Sequence, residues 1–128
     1  MTVLVPISWG ELLDKITILE IKSERLTSPA GLANVRHELQ ALCEIAAGIA
    51  DHEGRLAALK AALKTVNQAL WDVENQIRAK EASKSFDQEF VELARSVYRL
   101  NDQRGLLKRE LSLLLKSGLI EEKQYTPY

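Results

Sequence analysis

Ser85–Leu114 reads SFDQEFVELARSVYRLNDQRGLLKRELSLL. Phe86, Phe90, Leu93, Val97, Leu100, Arg104, Leu107, Leu111 and Leu114 recur in it at alternating spacings of four and three, the mark of one long amphipathic helix with a coiled-coil-like seam. The S-x-x-Q of Ser85 and Gln88 reads as a capping box at its head, and Ser117-Gly118 supplies a stop. Upstream, Leu56, Leu59, Leu63, Val66, Leu70, Val73 and Ile77 form a second seam of the same kind. Two rods of roughly 30 residues, each about 45 Å long at 1.5 Å per residue, are joined by a short link around Lys84. The brevity of that link makes them an antiparallel hairpin.

The rest of the chain must cover this hairpin. Ser8 and Glu11 form an S-x-x-E capping box that opens a helix over Trp9 to Leu26. Ser28 followed by Pro29 is the next start, a cap residue and then proline at the first helical position. From there Leu32, Val35, Leu39, Leu42, Ala46 and Ile49 make another seam, one residue out of phase with that of Leu56 to Ile77. The slip favours two helices joined near Ala50 to Gly54, with one bent helix as the alternative. Prolines stand only at positions 6, 29 and 127, outside every periodic stretch. The fold expected is therefore all-α: an elongated antiparallel bundle of about four helices forming a single domain over 1–128. Leu119, Ile120, Tyr125 and Tyr128 are too apolar for a free end, so the tail 119–128 is expected to fold back onto the bundle.

Composition excludes several function classes. With 17 basic and 18 acidic residues in 128, the net charge of -1 gives no broad attraction for nucleic acid. One cysteine cannot form an internal disulfide, and two histidines with one cysteine are too few for a Cys/His zinc site, so neither metal nor cofactor is expected. The N-terminus lacks a basic n-region, and no apolar run approaches the roughly 18 residues of a membrane span. A soluble, cytoplasmic protein is the expectation. Arg95, Arg99 and Arg109, interleaved with Asp102 and Glu110, read as a solvated face.

A few residues are not what a plain bundle needs. On the first helix Leu12, Leu13, Ile16, Leu19 and Leu26 share one arc while Ile18 and Ile21 point the other way. A helix apolar on two sides lies deep in the bundle or at a subunit contact, and a symmetric homodimer is expected. Glu20 falls inside the main arc. Arg104 sits at the centre of the last seam, flanked by Asn101 and Lys108, and folding the hairpin about its loop brings it level with Val66 and Asn67. The same folding sets Arg95 and Tyr98 level with Trp71 and Glu74. Asn67, Trp71, Glu74 and Arg78 form one ridge at spacings of four, three and four. Two polar layers are expected, with Glu20 as the partner of Arg104. The favoured role is a buried network that fixes register. The alternative is a pocket for a small anion, with arginine forks and a wall made by Trp71 or Tyr98.

Other signals carry less. Glu11-x-x-Asp14 and Glu89-x-x-Glu92 have the spacing of paired carboxylates in all-helical magnesium-dependent pyrophosphohydrolases, but in reversed order, and that resemblance is rejected. His37 and His52 lack a nucleophile at telling spacing. Cys43, beside Leu42 and Ile45, is expected to pack as a small hydrophobe.

Three segments carry a family likeness: SWGELLDKITILEIKSERL (Ser8 to Leu26), LWDVENQIR (Leu70 to Arg78), and Phe86 to Leu115 continuing to EEKQYTPY at the end. Together they resemble a bacterial family of small all-helical proteins of unknown function, recognised by the GELLDKITILEIK opening and the EEK-x-Y-x-P-Y close. The family's motif letters fall at Asp14, Lys15, Glu20, Trp71, Glu74, Arg78, Arg95, Tyr98, Asn101, Asp102 and Arg104. What the resemblance implies about function is only an association with surface-polysaccharide and glycosyltransferase gene contexts. The function expected is a non-enzymatic helical scaffold or adaptor, homodimeric and open to a protein partner. The alternative is a bundle that binds or acts on an anionic small molecule such as a sugar phosphate or nucleotide.

Overall fold

In a computed structural model that describes residues 1–128, four helices follow one another without a strand: α1 (Trp9–Arg25), α2 (Pro29–Ala46), α3 (Arg55–Ala82) and α4 (Gln88–Leu114). Each starts where the chain supplies an acceptor for the orphan amides of a first turn. Ser8 Oγ accepts from the Glu11 N–H at 3.1 Å, and Ser28 Oγ from that of Gly31 at 3.3 Å, with Pro29 just inside. Asp87, not Ser85, caps α4: its carboxylate accepts from the Phe90 N–H at 3.0 Å. An ionised cap so placed also meets the positive end of the helix dipole, which a serine two residues earlier cannot reach. Ahead of α3, Asp51 Oδ1 accepts from the Ala57 N–H while Gly54 turns the chain at φ 85°, a left-handed conformation that favours glycine. Residues 47–54 therefore separate α2 from α3, and the bent-helix alternative falls.

α3 and α4 form the expected hairpin, and α1 is the one helix that touches all three others, running antiparallel to α4. The core sits at the base of the hairpin. Leu12, Leu13, Ile16, Leu63 and Leu111 are its buried members, with Trp9, Leu39, Leu42, Leu59 and Leu107 packed against them. Because α1 lies between α2 and the hairpin, its second apolar side is covered within the chain: Ile21 is buried and Ile18 half-buried. The two isoleucines thus give no support to a subunit contact, contrary to the expectation from the wheel. Cys43 is exposed on α2 rather than packed, since only one face of that helix meets a neighbour.

Only 15 of 128 residues are buried, and none of them lies between Gln68 and Leu107. Past Trp71 and Asp72, which the end of α1 still reaches through Arg25, no third helix covers the hairpin, and only the tail lies over α4, at Tyr98 and Asp102. The chain exposes 8663 Å², whereas a compact monomer of this mass exposes about 6,800 Å². No helix is long and apolar enough to cross a membrane. The tail runs back along α4, but polar groups rather than apolar burial hold it. Glu121 and Glu122 pair with Lys108 and Arg109, Tyr128 Oη donates to Asp102, and Tyr125 and Tyr128 stay exposed.

Candidate functional site

The polar centre of the molecule is built from one ridge of α1. Gly10, Asp14, Thr17 and Ile21 recur at spacings of four, three and four, and all four are buried. Gly10 lets the two backbones touch, its N–H donating to Ser112 Oγ at 3.0 Å. One turn on, Asp14 faces Arg104 of α4 and Asn67 of α3. Arg104 donates to both carboxylate oxygens, from Nε at 2.9 Å and from Nη2 at 2.5 Å. The two donors of Asn67 Nδ2 go to Asp14 Oδ1 and to Thr17 Oγ1, each at 3.0 Å. Thr17 in turn donates a hydrogen bond from its hydroxyl to the Asp14 carbonyl oxygen at 2.8 Å. A second cation lies one turn along α4, where Lys108 Nζ is held by Glu11 at 2.7 Å and by Glu121 of the tail at 2.9 Å.

The partner of Arg104 is Asp14, therefore, and not Glu20. Glu20 points to the other side of α1, where Lys60 and Lys64 of α3 approach its carboxylate at 3.3 and 3.8 Å. Of the expected layer, Asp14, Asn67 and Arg104 come together at the bundle axis. Lys15 is exposed beside them, in a cleft of about 260 Å³ that Arg104 also borders. The second layer does not form. Glu74 pairs with Arg78 and Arg95 with Glu92, both on exposed surface and within their own helices. Trp71 lies half-buried under Arg25, whose guanidinium is 5.9 Å from the ring centroid. Tyr98, Asn101 and Asp102 sit on the tail side of α4, Tyr98 edge-on to Tyr128 with centroids 4.9 Å apart.

Gly10, Thr17 and Ser112 escaped sequence reasoning, and Lys108 entered it only as a flank of Arg104. A glycine in the first turn of a strong helix, followed by small or polar residues at i+4 and i+7, was the available signal. On α4 the matching signal is the row Arg104, Lys108, Ser112, spaced by four.

Burial by itself pushes the Asp14 carboxyl up, but the hydrogen bonds from Arg104 and Asn67 and the charges of Arg104 and Lys108 outweigh it, so the group stays below the usual carboxylate range. A carboxylate so held, with 1% exposure, is unsuited to acid–base exchange near neutral pH. Burial pushes Lys108 down, and Glu11 and Glu121 more than offset that, so the amine stays protonated. No group of three or more His, Cys, Asp or Glu side chains converges on a point that could hold a metal ion.

A depressed Asp14 carries a pH signature. Its stabilisation is complete above the ordinary value near 3.8 and is lost as pH falls through the lower folded value. The stability gap between wild type and Asp14→Asn, measured by urea denaturation, is expected to be wide at pH 7 and to shrink steadily below about pH 4. An equal gap at pH 7 and pH 3 would contradict the ion-paired assignment.

Four helices, the central α1 and the Asp14–Arg104–Asn67 centre define a small helical-bundle domain. The chain belongs to the family described as a family of unknown function, DUF6165, whose model matches residues 3–128 and so spans every element and the tail. No curated protein and no solved structure matches it.

Proposed function

We propose that this chain is a non-catalytic cytoplasmic scaffold or adaptor that works as a homodimer, joined through the uncovered half of the α3–α4 hairpin. The observation that carries it is the far half of the hairpin, 72–82 of α3 and 88–103 of α4 with the turn between them, which holds no buried residue and leaves Phe86, Val91 and Tyr98 exposed. The surface in excess of a compact monomer is about 1,800 Å², more than one partner contributes to an interface of standard size. Against a site for a small anion stands the state of its cations. Arg104 gives its Nε and Nη2 donors to Asp14, and Lys108 is shared by two carboxylates. In the cleft beside them Lys15, Lys22 and Arg104 are matched by Glu11, Asp14 and Glu38.

Light scattering at micromolar concentration is expected to give twice the 14.4 kDa chain mass. A mass of one chain, together with a rise in melting temperature on adding a sugar phosphate or nucleotide, would transfer the case to the anion-binding alternative.

A further inference from the structure

We infer that two copies meet along the outer face of α4, antiparallel, with the two-fold axis at the level of Ala94 and Arg95. This rests on the homodimer proposed above and fixes its face, direction and register. The face is the one opposite the seam that α4 shares with α3. Val91, Ala94, Arg95 and Tyr98 follow one another along it at helical spacing and are all exposed, Val91 by 43% and Tyr98 by 41%. Alanine at the midpoint lets two helix axes approach closely.

Charge chooses the direction. Glu92 and Arg99 lie on the same flank of this stripe, acid toward the hairpin tip and base away from it, with Arg95 between them. A parallel two-fold turns this flank toward the partner's other flank, where Ala94 and Asn101 carry no charge, so neither Glu92 nor Arg99 meets an unlike charge. An antiparallel pairing about Ala94–Arg95 sets Val91 against the partner's Tyr98. It also brings Glu92 opposite the interval between the partner's Arg95 and the partner's Arg99. Unlike charges then meet on both sides of the axis.

A charge swap tests this on the full chain. Sedimentation velocity at low ionic strength is run on wild type, Glu92→Arg, Arg99→Glu, the double variant and an equimolar mixture of the two single variants. Circular dichroism checks that the fold survives. Each single change puts like charges together twice and is expected to weaken dimerisation by about tenfold or more. The double variant restores opposite charges in reversed sense and should return to within about threefold of wild type. The mixture should form a heterodimer tighter than either single variant alone. Dimers indifferent to the single changes, or a double variant weaker than both, overturn the α4 face while leaving the homodimer standing. A wild type that stays monomeric overturns the homodimer and this inference with it.

Discussion

Replacing Arg104 with methionine is expected to lower stability by about 3 kcal/mol or more. The change leaves the Asp14 carboxylate, 1% exposed, with Asn67 as its only side-chain donor. Asp14→Leu combined with Arg104→Met should recover a large part of the loss, because no buried charge then remains. Recovery will be incomplete. Asn67 loses one acceptor and keeps only Thr17. Urea denaturation of the four chains of this cycle should give a coupling energy of about 1–2 kcal/mol or more. Glu20→Leu combined with Arg104→Met is the matched control. Glu20 faces α3, with the charges of Lys60 and Lys64 nearby, so its effect and that of Arg104 should simply add. Additivity in the Asp14 cycle, or strong coupling in the Glu20 cycle, would return the buried pair to the arrangement expected from the helical wheel.

That wheel located the problem and misidentified the residue, and the reason is geometric. A wheel ranks positions by angle about one apolar arc, which works for a helix covered on one side. α1 is covered on three, so Asp14 and Glu20, about a third of a turn apart in angle, both lie among apolar neighbours. Angle alone could not say which carboxylate met Arg104. Arg104 itself was legible, because α4 has a single seam and an arginine at its centre has to be met by something. Asn67 was legible for a related reason: a hairpin with a short loop fixes which levels of its two helices coincide. Thr17 and Ser112 were not, since small hydroxyl residues on a helix carry no pattern until the neighbour that their oxygen contacts is known.

The second polar layer failed for a different physical reason. Trp71, Glu74 and Arg78 do form a ridge, and Arg95 and Tyr98 do lie near its level. A ridge beside a seam has to be covered before its polar groups must answer one another. With no third helix over this half of the hairpin, Glu74 and Glu92 close ion pairs within their own helices. Such exposed pairs stabilise little. They leave Arg95 with no strong structural duty, and Val91, Ala94 and Tyr98 stay exposed beside it on the outer face of α4.

Gly10→Ala is expected to cost more than about 3 kcal/mol, although helix propensity alone favours alanine by about 1 kcal/mol. A Cβ at Gly10 would stand 2.1 Å from the Lys108 carbonyl oxygen and 2.7 Å from Ser112 Oγ. The first of these is backbone and cannot swing aside. α1 would have to move away from α4, breaking the Gly10 N–H bond to Ser112 and the Trp9 N–H bond to Ser117. One turn further on, the same movement would pull Asp14 off Arg104. Adding Ser112→Ala removes the hydroxyl contact but leaves the carbonyl, so that second change should rescue nothing. Gly105→Ala gives the opposite sign on the facing helix. Its Cβ would meet only the flexible side chain of Lys123, 3.3 Å away at Nζ. There the gain from restricting the unfolded chain should survive as about 0.5 kcal/mol or more of stabilisation. Thermal or urea denaturation of the two alanine variants therefore separates propensity from close packing. Two stabilised proteins would mean that α1 does not lie against α4 at Gly10, and a destabilised Gly10→Ala beside a stabilised Gly105→Ala places the backbone contact where the Asp14 network requires it.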